Sequence, residues 1–471
     1  MLDVAQEAEI LHLGADFPPV PTSEWEAAIQ KDLKGAEYDK KLIWRTDEGI
    51  AVRPYYRRED LAGLLLALGA GNKPWEAREE AEFPTHAIRA DHVHDSGAHA
   101  VQEVALALSE GVERMNTLTA AMTVDQAAAQ IEVVYAVGSN YFMEIAKLRA
   151  ARLLWGHVVA SFGPKDPSSC AVHLHVRTSR LNKSVYDPYT NLLRVTTEAM
   201  SAVIGGCDTL TVEPFGFVSH LAMGVQRVLR EESHLDAVTD PAGGSYYIEA
   251  LTDAVAREAW KLFQAIEAEG GYTPALVSGM IDRELETTRV SRRKAISSRR
   301  RTLVGVNNYP NLNEKTPETE GMPALEHDAF PALRLAEPFE RIRKRTAQHA
   351  ALTGRCPKVL LLKRGDLKMR MARANFCFNF LGCGGFDIVE SEEYAGTDAD
   401  LVVLCSSDPE YAAFAREVCA AISVPVLLAG NPKDQIEALK AAGVQGFVHV
   451  LSDAIQTLGE WQTRLGMKEI Q

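Results

Sequence analysis

No apolar run in this 471-residue chain approaches the roughly 20 residues that a membrane-spanning helix needs, so no span is expected. The opening residues 1–9 are acidic and lack a basic n-region, so no secretory signal is expected either. The seven cysteines, Cys170, Cys207, Cys356, Cys377, Cys383, Cys405 and Cys419, form no CxxC pair, and most lie in apolar runs. That excludes a disulfide framework and a zinc cluster, and reads as reduced thiols in the cytoplasm. Basic charge is in deficit, with 50 Lys and Arg against 64 Asp and Glu, for a net charge of −14. A general nucleic-acid binder needs the opposite balance. There is no P-loop, no Gly-x-Gly-x-x-Gly after a strand, and no Gly-x-Ser-x-Gly elbow.

What is present is an ordinary globular composition, 46% apolar and 24% charged, long enough for about three domains. Residues 1–60 read as an arm. Pro18, Pro19 and Pro21 punctuate it, Ser23 and Glu26 form a capping-box pattern that opens a helix over 24–33, and strings 41–44 and 50–52 are set for a hairpin. Such an arm is too small for its own core and is expected to pack on something else, such as another chain. Residues 61–275 alternate β-rich runs (131–137, 171–176, 209–212) with helical periodicity (98–117, 141–162, 188–204, 219–234, 251–269). Asp187 and Pro188 mark the start of the third of these helices as N-cap and N1. That alternation predicts a parallel sheet of the (β/α) barrel type. Only four or five βα units are convincing, so the barrel is expected to be shortened.

Residues 276–350 read as a linker with a basic run over 289–301, taken as a solvated helix face or packing strap rather than a nucleic-acid site because no aromatics interleave with it. Residues 351–471 contain five strands alternating with helices. That predicts a flavodoxin-like doubly wound sheet, with ligands beyond the carboxyl ends of its strands near 364–368, 406–407 and 430–431.

Three groups of residues invite a chemical reading. His173 and His175 alternate along a strand and point to one face, which makes them weak candidate metal ligands and the basis of a metal-dependent barrel hydrolase reading. His92, His94 and Asp95 form a second cluster. Both groups are also explained as structural histidines. Asp366 opens a helix, where capping alone accounts for it.

Several strings resemble the methylmalonyl-CoA mutase family: YFMEIAKLRAARLLW from Tyr141, YDPYTN from Tyr186, TEAMSAVIGG from Thr197, EESHLD from Glu231 and DPAGGSYY from Asp240. The arm is similar to the N-terminal segment of the small subunit of the heterodimeric enzymes. The resemblance implies a barrel that threads acyl-CoA, and a cobalamin domain whose DxHxxG motif supplies a cobalt-ligating His. The matching string here runs from Asp366 to Met371, with Lys368 in the His position and Met371 in the Gly position. A protonated amine does not coordinate cobalt. The later serine motif survives only as Ser406 and Ser407. The positions Asp366, Lys368, Ser406 and Gly430 therefore read as a vestigial cobalamin site, and no catalytic residue is assigned. Relative to the family, on the order of a hundred residues and about three barrel strands are missing between about Ala70 and Ala90. The resemblance thus implies a non-catalytic small subunit. Its partner would be a large subunit holding adenosylcobalamin and acyl-CoA and interconverting methylmalonyl-CoA and succinyl-CoA. A degenerate mutase paralogue with a regulatory or other binding role is the alternative.

Overall fold

Two short strands near the N-terminus pair as their sequence predicts. β1 (Trp44–Arg45) and β2 (Ala51–Val52) form an antiparallel hairpin, with Trp44 opposite Val52. The structure, a computed structural model, describes residues 17–64, 74–78, 83–314 and 329–468. The apolar string at 61–68 reaches outside the described residues. The arm helix runs over Thr22–Asp32, and no side chain caps it. Extended Pro21 takes the N-cap position, so the expected Ser23–Glu26 box does not form. None of its eleven residues is buried.

The first sheet holds β3 (Glu76–Ala77), β4 (Ile88–Arg89), β5 (Glu132–Val137), β6 (His173–Thr178) and β7 (Thr209–Thr211). The order is β3-β7-β6-β5-β4 and every pairing is parallel. All six residues of β5 are buried, as expected of a strand covered on both faces. The helices Ala100–Thr119, Tyr141–Ser161 and Tyr246–Ala268 pack against one another on this sheet. Pro188–Ile204 starts where Asp187 and Pro188 predict, with the Asp187 side chain accepting from the Thr190 amide at 3.3 Å. The barrel expected from the βα pattern does not close among the described residues. Closure needs eight strands in register. Here the two-residue strands β3 and β4 lie at opposite edges of an open sheet.

The second sheet holds β8 (Lys358–Lys363), β9 (Asp387–Ser391), β10 (Leu401–Cys405), β11 (Val426–Ala429) and β12 (Gly446–Val448). It is parallel throughout, in the order β12-β11-β10-β8-β9. That is the flavodoxin-like order, and the chain reverses direction of winding between β8 and β10. The span read as a linker carries two long helices, Met280–Ser297 and Glu337–Thr353. They join the two sheet units. Gln462 donates to the Ile342 carbonyl at 2.6 Å, the Ser297 hydroxyl to Asp453 at 2.6 Å, and the Leu335 amide to the Leu181 carbonyl at 2.9 Å. Among the described residues no helix is long and apolar enough to cross a membrane. All seven cysteines are free, and four of them are buried.

Candidate functional site

The carboxyl ends of β8 and β10 form the crevice where a doubly wound sheet offers a ligand site. Asp366 lies there and caps the helix Leu367–Gly382, accepting from the Met369 amide at 2.8 Å. Its own amide donates to Glu410 at 3.2 Å. The Ser406 hydroxyl donates to the same carboxylate at 2.7 Å, the Ser407 hydroxyl at 2.5 Å and the Ser407 amide at 3.2 Å. A side chain at Gly365 would collide with that carboxylate.

Gly430, at φ +132°, faces Arg373 in the same way. The guanidinium donates to the Ala429 carbonyl at 2.5 Å, to the Tyr411 hydroxyl at 2.9 Å and to Asp408 at 2.6 Å. Glu410 and Arg373 thus stand where the backbone opens. Lys368 is exposed on the first turn of the helix. Three of the four positions read in the sequence converge, Asp366 and Ser406 through Glu410 and Gly430 through Arg373. Lys368 stays apart from them. This residue set does not fit a cobalt ligand. Position 368 offers an exposed amine in place of an imidazole, and the space beside the two glycines is taken by the chain itself.

The hydroxyls of Ser407 and Ser406 hold the Glu410 carboxyl down, to about 2. A carboxyl lowered in the folded state stabilises the fold above its unfolded value of about 4.3, and that contribution is lost as pH falls toward 2. Glu410→Gln is therefore expected to lower the melting temperature at neutral pH. The gap to wild type should narrow between about pH 5 and about pH 2.5. Thermal scans across that range check this, and a gap that stays constant with pH would assign the effect to something other than the carboxylate.

The histidine pair of β6 meets at one hydroxyl. His173 Nε2 is 3.3 Å and His175 Nδ1 2.8 Å from Thr209 Oγ1. Burial, then the nearby Arg78, pushes His175 down to about 3, so its ring is neutral at physiological pH. Among the described residues no three His, Cys, Asp or Glu side chains converge as a metal-binding group.

The cluster of His94 and Asp95 is part of a larger set of buried charges around the carboxyl ends of β5 and β6, whose other members, Glu103, Lys147 and Arg177, the sequence did not join to it. His94 Nδ1 lies 2.9 Å from Glu103. Lys147 donates to Glu103 at 2.7 Å and pairs with Glu144 at 2.5 Å. Burial disfavours the Lys147 ammonium, but Glu103 and Glu144 reverse this and hold its pKa above the ordinary value. The spacing of Glu144 and Lys147 is a readable signal, since a helix brings residues three apart together. His94 Nε2 has no hydrogen-bond partner among the described residues, and His94, Glu144, Asn182 and Arg292 line a cavity of about 50 Å³. That volume suits a few water molecules. Beside it, Arg177 donates to Asp91 at 2.6 Å and to Asp95 at 2.5 Å, all three buried.

Residues 65–353 match the family model described as methylmalonyl-CoA mutase. A methylmalonyl-CoA mutase small subunit of Porphyromonas gingivalis is 30% identical over 625 aligned positions, covering 99% of this chain and all of the relative. An alignment of 625 positions against a chain of 471 residues leaves well over a hundred residues of that relative without a counterpart here. The small subunit of Streptomyces virginiae is 36% identical over 79% of this chain, which spans 63% of that relative's length. A methylmalonyl-CoA mutase of Cereibacter sphaeroides is 38% identical over half of this chain and 34% of its own length. The chain belongs to the methylmalonyl-CoA mutase family.

Proposed function

We propose that this chain is the non-catalytic small subunit of a heterodimeric, cytoplasmic methylmalonyl-CoA mutase. Its partner is a large subunit that holds adenosylcobalamin and acyl-CoA and interconverts methylmalonyl-CoA and succinyl-CoA. The observation that carries this reading is the crevice filled by Glu410 and Arg373, with an exposed Lys368 where the family places its cobalt-ligating His. The open five-stranded order of the described strands, and a cavity of about 50 Å³ beside them that suits water rather than an acyl-CoA, support it. The small-subunit names of two relatives support the pairing.

The test uses the purified chain alone and with the large subunit. Alone, it is expected to leave the absorption spectrum of added adenosylcobalamin unchanged and to turn over no methylmalonyl-CoA. With the large subunit it should co-elute as a stoichiometric complex. Lys368→His is expected to restore no cobalamin binding, because the crevice stays filled. Stoichiometric cobalamin binding by the wild-type chain would sink the reading. The missing positions favour one second reading, a degenerate mutase paralogue with a regulatory or other binding role. Failure to associate with the large subunit, together with absent turnover, would select it.

A further inference from the structure

A second cavity, of about 360 Å³, lies at the junction of the two sheet units. Three helices bound it: Met280–Ser297, Glu337–Thr353 and Ala454–Arg464. Its floor is apolar, made by Ile296, Leu333, Leu335 and Ile455. Ligand pockets of small molecules span roughly 300–1,000 Å³, are mostly apolar, and favour domain interfaces. This one meets all three conditions.

Its rim carries cations from two different helices, Arg293 and Arg341. Among the described residues each is held by a surface carboxylate on its own helix, Arg293 by Glu286 at 3.4 Å and Arg341 by Glu337 at 2.6 Å. Their side chains are 53% and 75% exposed. Surface pairs of this kind are weak and screened, so both guanidinium groups can turn to a better anion. A third arginine, Arg334, is already committed. It holds Glu340 with two hydrogen bonds at 2.7 and 2.6 Å and lies over the Phe215 ring. Glu337 is the one acid among the described lining residues.

An apolar floor beneath two available guanidinium forks is complementary to one class of molecule. We propose that this cavity binds an amphipathic anion, with a carboxylate head between Arg293 and Arg341 and a medium-length apolar tail over Ile455. A planar guanidinium grips a carboxylate through paired charge-assisted hydrogen bonds, and the tail leaves water on the floor. This inference rests on the cavity alone and is independent of the subunit reading.

The test is calorimetric titration of the full chain with sodium decanoate, with 1-decanol as the uncharged probe. Saturable 1:1 decanoate binding is expected, with decanol at least about tenfold weaker. The double variant Arg293→Glu/Arg341→Glu should weaken decanoate at least about tenfold, and Ile455→Glu similarly. The arginines are exposed, so the double variant keeps the fold, which its melting curve verifies. Trp260→Ala, in an outer groove between the helices Tyr141–Ser161 and Tyr246–Ala268, should leave binding unchanged. Three results would each overturn the proposal: no saturable binding up to about 10 mM decanoate, a far weaker grip than a built site gives; unchanged affinity in the folded double variant; or loss of binding in Trp260→Ala.

Discussion

Replacing Arg177 with Met is expected to lower the stability of the fold by about 3–5 kcal/mol near neutral pH, the usual cost of removing one partner from a buried ion cluster. Arg177 is 2% exposed, Asp91 is fully buried and Asp95 is 2% exposed. Burial pushes both carboxyls up, and the Arg177 guanidinium more than reverses that, leaving both below the ordinary value. In the variant Asp91 keeps Arg89, at 2.7 Å, but among the described residues the hydrogen-bond donors left to Asp95 are neutral, the Ser179 hydroxyl and the Arg180 amide, with His94 and Lys183 acting on it only through space. A buried carboxylate without a paired cation is among the costliest groups a fold can carry.

The pH dependence gives the sign. Carboxyls held low in the folded state contribute stability above about pH 4, the unfolded value for Asp, and lose it as pH falls further. Without the guanidinium, burial dominates and the Asp95 carboxyl titrates above its unfolded value. The variant then regains stability on acidification while wild type does not. Urea midpoints at about pH 7 and about pH 5 should therefore differ most between the two proteins at the higher pH. A loss below about 1 kcal/mol at neutral pH would show that water or a rearranged neighbour replaces Arg177.

The same cluster explains what could be read from the sequence and what could not. Asp187 and Pro188 fix a helix start through local chemistry, and the helix begins there. The run Leu401–Cys405 is continuously apolar and becomes a fully buried central strand. Asp366 reads as a cap and is one. These are features of neighbours in sequence. Arg177 meets Asp91 from 86 positions away, and Arg373 meets the Ala429 carbonyl from 56. No periodicity reports such pairs. Glu410 is close to Ser406 in sequence, but its role depends on the Asp366 amide arriving from another strand end. Closure of the barrel was not legible for a related reason. Counting βα units shows that strands run parallel, but closure is decided by where the first and last strands lie. The basic run at 289–301 illustrates the reverse case. Arg289 donates to the Ser96 carbonyl at 2.7 Å and Arg292 pairs with Asp47 at 3.2 Å, both buried, so the packing-strap reading holds for those two residues.

Phe17→Ala combined with Trp44→Ala is expected to weaken association with the proposed large subunit by about 30-fold or more while leaving the isolated chain's melting temperature nearly unchanged. Phe17 is 82% exposed and Trp44 48% exposed, and the arm helix between them buries no residue of its own. Aromatic side chains in water contribute little to the fold that displays them. At an interface they supply large apolar area with few rotatable bonds, and truncating one typically costs about 2 kcal/mol or more. The arm is held in shape by its own contacts, with Trp25 stacked on Tyr55 at 4.7 Å and Arg57 over the Trp25 ring. Tyr56 then ties it to Tyr247 at the start of the helix Tyr246–Ala268. Removing Phe17 and Trp44 touches none of these anchors, so a change in pairing cannot be traced to a collapsed arm. Tyr189→Ala is the control, because Tyr189 is 73% exposed on the helix Pro188–Ile204, which is not part of the arm. Analytical ultracentrifugation of each variant with the large subunit separates the cases. Tight pairing by the arm variant and weak pairing by Tyr189→Ala would move the contact face from the arm to that helix.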